Sequence, residues 1–285
     1  MVEDKFVTLT SGIRLAYQTF GNRSDPVFLL ITGWFSDLTL WPRGFCELLA
    51  SRGFYVIRYD NRDSGLSTRT EIKVSPEHPP YSMSDWANDA ILLLDKLGIE
   101  KAHIAGFAMG ANIAHYVVIE HHERVMTLTA FATTSGAPGF SAPDPSIRTV
   151  FSEPHASDTE GLEIYHKKIF KAMASSSFDE NDYEERHNES KQRGALPARV
   201  DIQSLVNRPG DRTKKLKMVK VPVLVVHGGQ DPLISIEAAR AHAAVFPDAT
   251  LLVLNGIGHG VLPKLFWEKL ATAMSQLAER VNYQN

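Results

Sequence analysis

Hydrophobic positions along this chain change their spacing in a repeating order. Phe6 to Leu9 and Ile13 to Gln18 alternate apolar with polar residues, the pattern of two hairpin strands joined at Ser11-Gly12. Val27-Phe28-Leu29-Leu30-Ile31 is a continuous apolar run, which predicts a strand covered on both faces. Pro42 to Ser51 reads as a helix, with proline in its first turn and Gly53 just past its end. Tyr55 to Tyr59 is the next predicted strand, and Trp86 to Leu97 carries apolar residues at helical spacing up to Gly98. Lys101 to Ala105 predicts a short buried strand, Met109 to about His122 a helix, and Val125 to Phe131 another strand. Such alternation implies a mostly parallel sheet with helices on both faces.

The rhythm breaks from Ser135 to about Leu216, where Pro, Ser and charged residues are frequent and no strand is visible. Apolar residues still recur at helical spacing between Leu162 and Met173, and the charged stretch Asp179 to Gln192 also reads as helical. A helical cap, residues 135–216, is therefore expected as an insertion into an α/β core of residues 1–134 and 217–285. Alternation resumes with the strand Val223–Val226, the helix Ile236–Val245, the strand Leu251–Leu254 and a final helix from Pro263.

Composition narrows the classes of function. The chain has 285 residues, 44% hydrophobic and 22% charged, as in ordinary globular proteins, and is long enough for a large core. A formal charge of −3 gives no electrostatic basis for binding nucleic acid or anionic membranes. Cys46 is the single cysteine and falls in the apolar pattern Phe45-Cys46-Glu47-Leu48-Leu49, so it reads as a buried helix thiol. His121 and His122 are adjacent, and no H-E-x-x-H spacing occurs, so no metal site is expected. The polar start Met1-Val2-Glu3-Asp4-Lys5 lacks an apolar signal core, and no apolar run approaches the ~18 residues that span a bilayer. A cytoplasmic monomer or homodimer is the expectation.

One pentapeptide carries most of the chemistry. Gly106-Phe107-Ala108-Met109-Gly110 lies between a predicted strand and a predicted helix, the setting of a G-x-S-x-G nucleophile elbow, with alanine where serine is expected. The elbow's tip stands above the sheet, and the next backbone N–H, that of Met109, opens a helix and can stabilise an oxyanion. Asp231 follows the strand Val223–Val226, and His259 follows the strand Leu251–Leu254. Both fall at carboxyl ends of strands, the edge of an open α/β sheet where sites form.

Elbow, acid and histidine in this order resemble the α/β hydrolases over essentially the whole chain. The segment Tyr59-Asp60-Asn61-Arg62-Asp63-Ser64-Gly65-Leu66-Ser67 and an elbow ending in Met-Gly resemble the esterase group of aclacinomycin methylesterase. The resemblance implies Ala108 as the nucleophile position, His259 as general base and Asp231 as its orienting acid. The alternative place for the acid, after Phe131, reads Thr133-Thr134-Ser135 and offers no carboxylate. Thr32-Gly33-Trp34-Phe35 resembles the family's His-Gly-x loop, with Thr32 in place of histidine, and points to the Trp34 and Met109 amides as the oxyanion hole. Asp60 to Ser67 reads as a structural turn, and His227 as a packing residue at a strand end. Phe35, Phe107, Phe170 and Met173, with Trp34, are candidate walls of a pocket for a small-molecule ester or lactone, turned over without a cofactor.

Three readings of Ala108 compete: a Ser→Ala knockout, a ligand-binding pseudoenzyme, and an acid/base enzyme that uses Asp231 and His259 alone. A nucleophile elbow often holds its tip at positive φ, where a Cβ costs roughly 1–2 kcal/mol. A pure binding protein would gain from glycine there. Alanine keeps the strain and removes only the hydroxyl, which favours the first reading.

Overall fold

The computed structural model describes residues 2–71, 75, 77–140, 143–153, 159–260 and 262–282. The chain runs β1 (Lys5–Thr8), β2 (Arg14–Phe20), β3 (Val27–Ile31), α1 (Arg43–Ser51), β4 (Tyr55–Tyr59), α2 (Met83–Lys96), β5 (Ala102–Phe107), α3 (Met109–Glu120) and β6 (Val125–Phe131). Five helices follow: α4 (Pro145–Ser152), α5 (Thr159–Ala174), α6 (Glu180–Gln192), α7 (Val200–Val206) and α8 (Thr213–Leu216). The chain then closes with β7 (Val223–Gly228), α9 (Ile236–Ala243), β8 (Ala249–Leu254) and α10 (Trp267–Asn282). The eight strands form one sheet in the order β1-β2-β4-β3-β5-β6-β7-β8. β1 and β2 are antiparallel to their neighbours, and β3 to β8 pair in parallel.

Side-chain alternation on the central strands explains the two layers. Leu29 and Ile31 of β3 point into one core with Ile57, Trp86, Leu94 and Val117. Phe28 and Leu30 point into the other with Phe45, Leu49, Val56 and Met274. Burial of both faces is why these strands are apolar without a gap. Strand order reverses at β3, whose neighbours are β4 on one side and β5 on the other. A crevice opens at such a reversal, outside the carboxyl ends of the strands.

Several elements differ in extent from the sequence expectation. The second helix starts at Met83 because Ser82 and Asp85 form a reciprocal capping box, with each side chain satisfying the other's backbone amide. β5 and β7 run two residues further, to Phe107 and Gly228, carrying the backbone straight into the site loops. Pro263 leads not into an α-helix but into a 3-10 turn, Lys264–Phe266, before α10. Between β6 and β7 the two expected helical stretches lie in α5 and α6, and α4, α7 and α8 are additional. Cys46 is fully buried in α1, and burial pushes its thiol up to about 12. No helix among the described residues is long and apolar enough to cross a membrane.

Candidate active site

Backbone geometry at the elbow sets the site. Ala108 has φ 50 and ψ −108, between the last residue of β5 and the first of α3. Its amide donates to the Phe131 carbonyl at 2.9 Å, which pins the tip to β6. The sharp turn brings α3 back against β5 so closely that a Cβ on Gly106 would collide with the Gly110 carbonyl. A Cβ on Gly110 would likewise collide with the Ile31 carbonyl. The two glycines are required by close approach rather than by turn conformation.

His259, which lines the same cavity as Ala108, pairs with Asp231. His259 Nδ1 lies 2.7 Å from Asp231 Oδ2, and both side chains are almost wholly buried. The other carboxylate oxygen accepts the Leu233 and Ile234 amides at 2.8 and 2.9 Å. Burial alone would raise the Asp231 carboxyl, but the charge and hydrogen bond of His259, the nearby His227 and the Ile234 amide outweigh it and hold the group below its ordinary value. An ionised Asp231 can only accept, so His259 Nδ1 carries the proton and Nε2 is left as the basic nitrogen. The His259 amide donates to the Met173 carbonyl at 2.7 Å, fixing the histidine loop to α5. His227 donates from Nε2 to the Ile234 carbonyl at 3.0 Å and packs beside Asp231. Burial lowers its basicity, so it stays neutral next to the pair.

The loop after β3 supplies the opposite wall. Asn61 donates to the Thr32 carbonyl at 3.1 Å, and Thr32 Oγ1 closes onto the Asp37 carbonyl at 2.8 Å. The hydroxyl thus bridges the loop at the position where the family pattern has histidine. Neither the Trp34 nor the Met109 amide has an acceptor among the described residues, whereas the Phe35 amide is used by Gln203 Oε1 at 2.9 Å. Asp60 holds the adjoining turn by accepting from Leu38, Leu66 and Arg193, and burial, against the nearby Arg193 charge, pushes its carboxyl up to about 6. Asp60 to Ser67 thus braces the loop from behind.

A cavity of about 730 Å³ opens over Ala108, walled by Trp34, Phe107, Phe170 and Met173 and reached by Met109 and His259. Phe35 is the exception among the expected wall residues. Its φ of 60 and its bond to Gln203 turn the ring away, against Tyr165 and His166, into a separate cavity of about 110 Å³ under α5 and α6. Sequence reasoning also missed Asn112, Thr133 and Arg212 on the cavity wall. Asn112 could have been noticed, since it follows the elbow tip by one helical turn. Arg212, distant in sequence, offered no signal.

The model of the alpha/beta hydrolase fold matches residues 26–264. The chain belongs to the α/β-hydrolase fold family. Within that family, it is similar to rhodomycin D methylesterase DnrP of Streptomyces peucetius, 29% identical and covering 96% of each chain. It is also similar to rhodomycin D methylesterase DauP of another Streptomyces, 28% identical over 92% of this hydrolase-fold chain and 94% of the relative. A solved esterase from a Rhodococcus species superimposes with a TM-score of 0.78 at 18% identity, covering 96% of this chain and 99% of the other. Similarity to the two methylesterases supports hydrolase activity for this chain.

Proposed function

We propose that the site is built to hydrolyse a carboxylic ester or lactone, that position 108 is the nucleophile's, and that Ala108 is a knockout of a serine there. The observation that carries this is the His259–Asp231 pair, joined at 2.7 Å, with His259 on the wall of the cavity that opens over the strained elbow tip. With serine at 108, the hydroxyl attacks the acyl carbon while His259 Nε2 takes its proton. The carbonyl oxygen becomes an oxyanion held by the Trp34 and Met109 amides. Collapse breaks the bond to the alcohol, which leaves with the proton from His259. Water, deprotonated by the same nitrogen, then releases the acid and restores the serine. Residues 135–216 act as a cap that shapes the pocket over a core of residues 1–134 and 217–285.

Ala108→Ser is expected to raise hydrolysis of a panel of methyl, alkyl and aryl esters and lactones by at least ~10³-fold over the alanine form, and His259→Ala to remove the gain. No turnover of any ester, thioester or lactone by Ala108→Ser overturns the reading. Retention of an intact basic pair without a nucleophile favours one second reading, acid/base catalysis by His259 and Asp231. It requires activity in the alanine form that His259→Ala abolishes.

A further inference from the structure

Arg212 carries a charge that the hydrolytic chemistry does not use. Arg212 is only 4% exposed, yet among the described residues no carboxylate pairs with it directly, and the neighbouring Asp211 reaches it only through its charge. Its hydrogen bonds go instead to neutral acceptors: the Gly210 carbonyl at 2.7 Å, the Thr134 carbonyl at 2.6 Å, Asn112 Oδ1 at 3.0 Å and His115 Nδ1 at 3.3 Å. These occupy four of the five N–H groups of a guanidinium and leave one Nη1 hydrogen unused. His115 and its partner His242, whose Nε2 atoms lie 3.2 Å apart, are kept neutral by burial and by the Arg212 charge. Burial pushes Arg212 down to about 10, which leaves it protonated at neutral pH. Among the described residues lining the large cavity it is the one permanent charge, and no Asp or Glu shares that wall.

A buried cation without a directly paired carboxylate is costly, and breaking up buried pairs shows how strongly such a charge demands one. The surroundings hold this one in place: the same Asn112 oxygen accepts Thr133 Oγ1 at 2.8 Å, and Asn112 Nδ2 donates to Asn207 at 3.2 Å. Asn112 is one helical turn beyond Ala108, and its own amide donates to the Ala108 carbonyl at 3.1 Å. The charge therefore sits a short way along the cavity from the point of attack.

We propose that the cavity takes substrates bearing a carboxylate in addition to the scissile ester, with Arg212 supplying the counter-charge and the Asn112 and Thr133 cluster orienting it. Arg212 is then the residue that selects the substrate class, and the inference rests on the ester-hydrolase reading above.

The test uses the chain as it stands, since alanine at 108 lets an intact ester bind without turnover. Isothermal titration compares the monomethyl esters of succinate, glutarate and adipate, anions at neutral pH, with the corresponding dimethyl esters. At least one monoester is expected to bind about tenfold or more tighter than its diester, the gain of one charge-assisted contact. Arg212→Gln is expected to bring that ratio to within about threefold of unity, and a ratio read within one protein cancels general loosening of the pocket. If Arg212→Gln does not fold, Arg212→Lys, which keeps the charge but not the planar fork, is expected to reduce the ratio without inverting it. Equal or weaker binding of every monoester by the unmodified chain, including no binding at all, overturns the proposal. The same pairs given to Ala108→Ser separate the two readings. Turnover of diesters without preference for monoesters overturns the anion site and leaves the hydrolase. Tight monoester binding without turnover leaves the anion site and overturns the hydrolase.

Discussion

Ala108 sits in a backbone region that only glycine occupies freely, and the cost of holding it there is measurable. With φ 50 and ψ −108 the residue lies outside the wells open to a side chain with a Cβ. Such a conformation costs of order 1–3 kcal/mol, so replacing Ala108 by glycine relieves about 2 kcal/mol. Two terms oppose this. Glycine adds roughly 0.7 kcal/mol of unfolded-chain entropy. Loss of a half-buried methyl removes about 0.4 kcal/mol of burial. The net is a stabilisation of about 1 kcal/mol for Ala108→Gly. Urea denaturation followed by circular dichroism should show it as a midpoint raised by about 0.3 M, for a slope near 3 kcal/mol/M. A midpoint that falls, or does not move, would refute the claim that the elbow stores strain in this chain.

Two further outcomes follow from the buried histidines and the acid. Burial holds His103 neutral in the folded chain down to about 4, and burial with the nearby Arg212 charge holds His242 neutral down to about 3, against an ordinary value of 6.5. The unfolded chain therefore binds more protons below pH ~6.5, and stability present above that pH is lost as pH falls, by ~1.4 kcal/mol per unit for each ring. Equal urea midpoints at pH 7 and pH 5 would show that these rings are not held neutral. In the Ala108→Ser background, Asp231→Asn should lower kcat by about 10³- to 10⁴-fold, because the amide no longer fixes the Nδ1 proton of His259. A loss under tenfold would remove Asp231 from the role of orienting acid.

What could be read from sequence was whatever a short segment decides by itself. Gly106 and Gly110 bracket a turn whose crowding is local, and Asp231 and His259 each follow their strand within a few residues, so their meeting place was implied by strand order alone. The start of α2 was also locally written, in Ser82 and Asp85, and was overlooked in favour of the apolar stripe beginning at Trp86. Phe35 was misplaced for a different reason. Its direction is decided by Gln203, which lies 168 residues away in sequence. Arg212 likewise reaches Asn112 across 100 residues, and nothing near position 212 marks it as part of a cavity wall. Helix α4 had a local start signal in its Asp144 cap and Pro145, whereas α7, only seven residues long and without a side-chain cap, had none.

The link between the Met173 carbonyl and the His259 amide ties the two halves of the pocket into one mechanical unit. Gly258 presses on the Met173 and Ala174 carbonyls so closely that no side chain fits between them. A helix anchored in this way cannot swing out to admit a bulky ligand while His259 stays still. Any rearrangement of α5 that widens the pocket also re-aims the imidazole, so on this side the width of the pocket and the aim of His259 are adjusted by a single control.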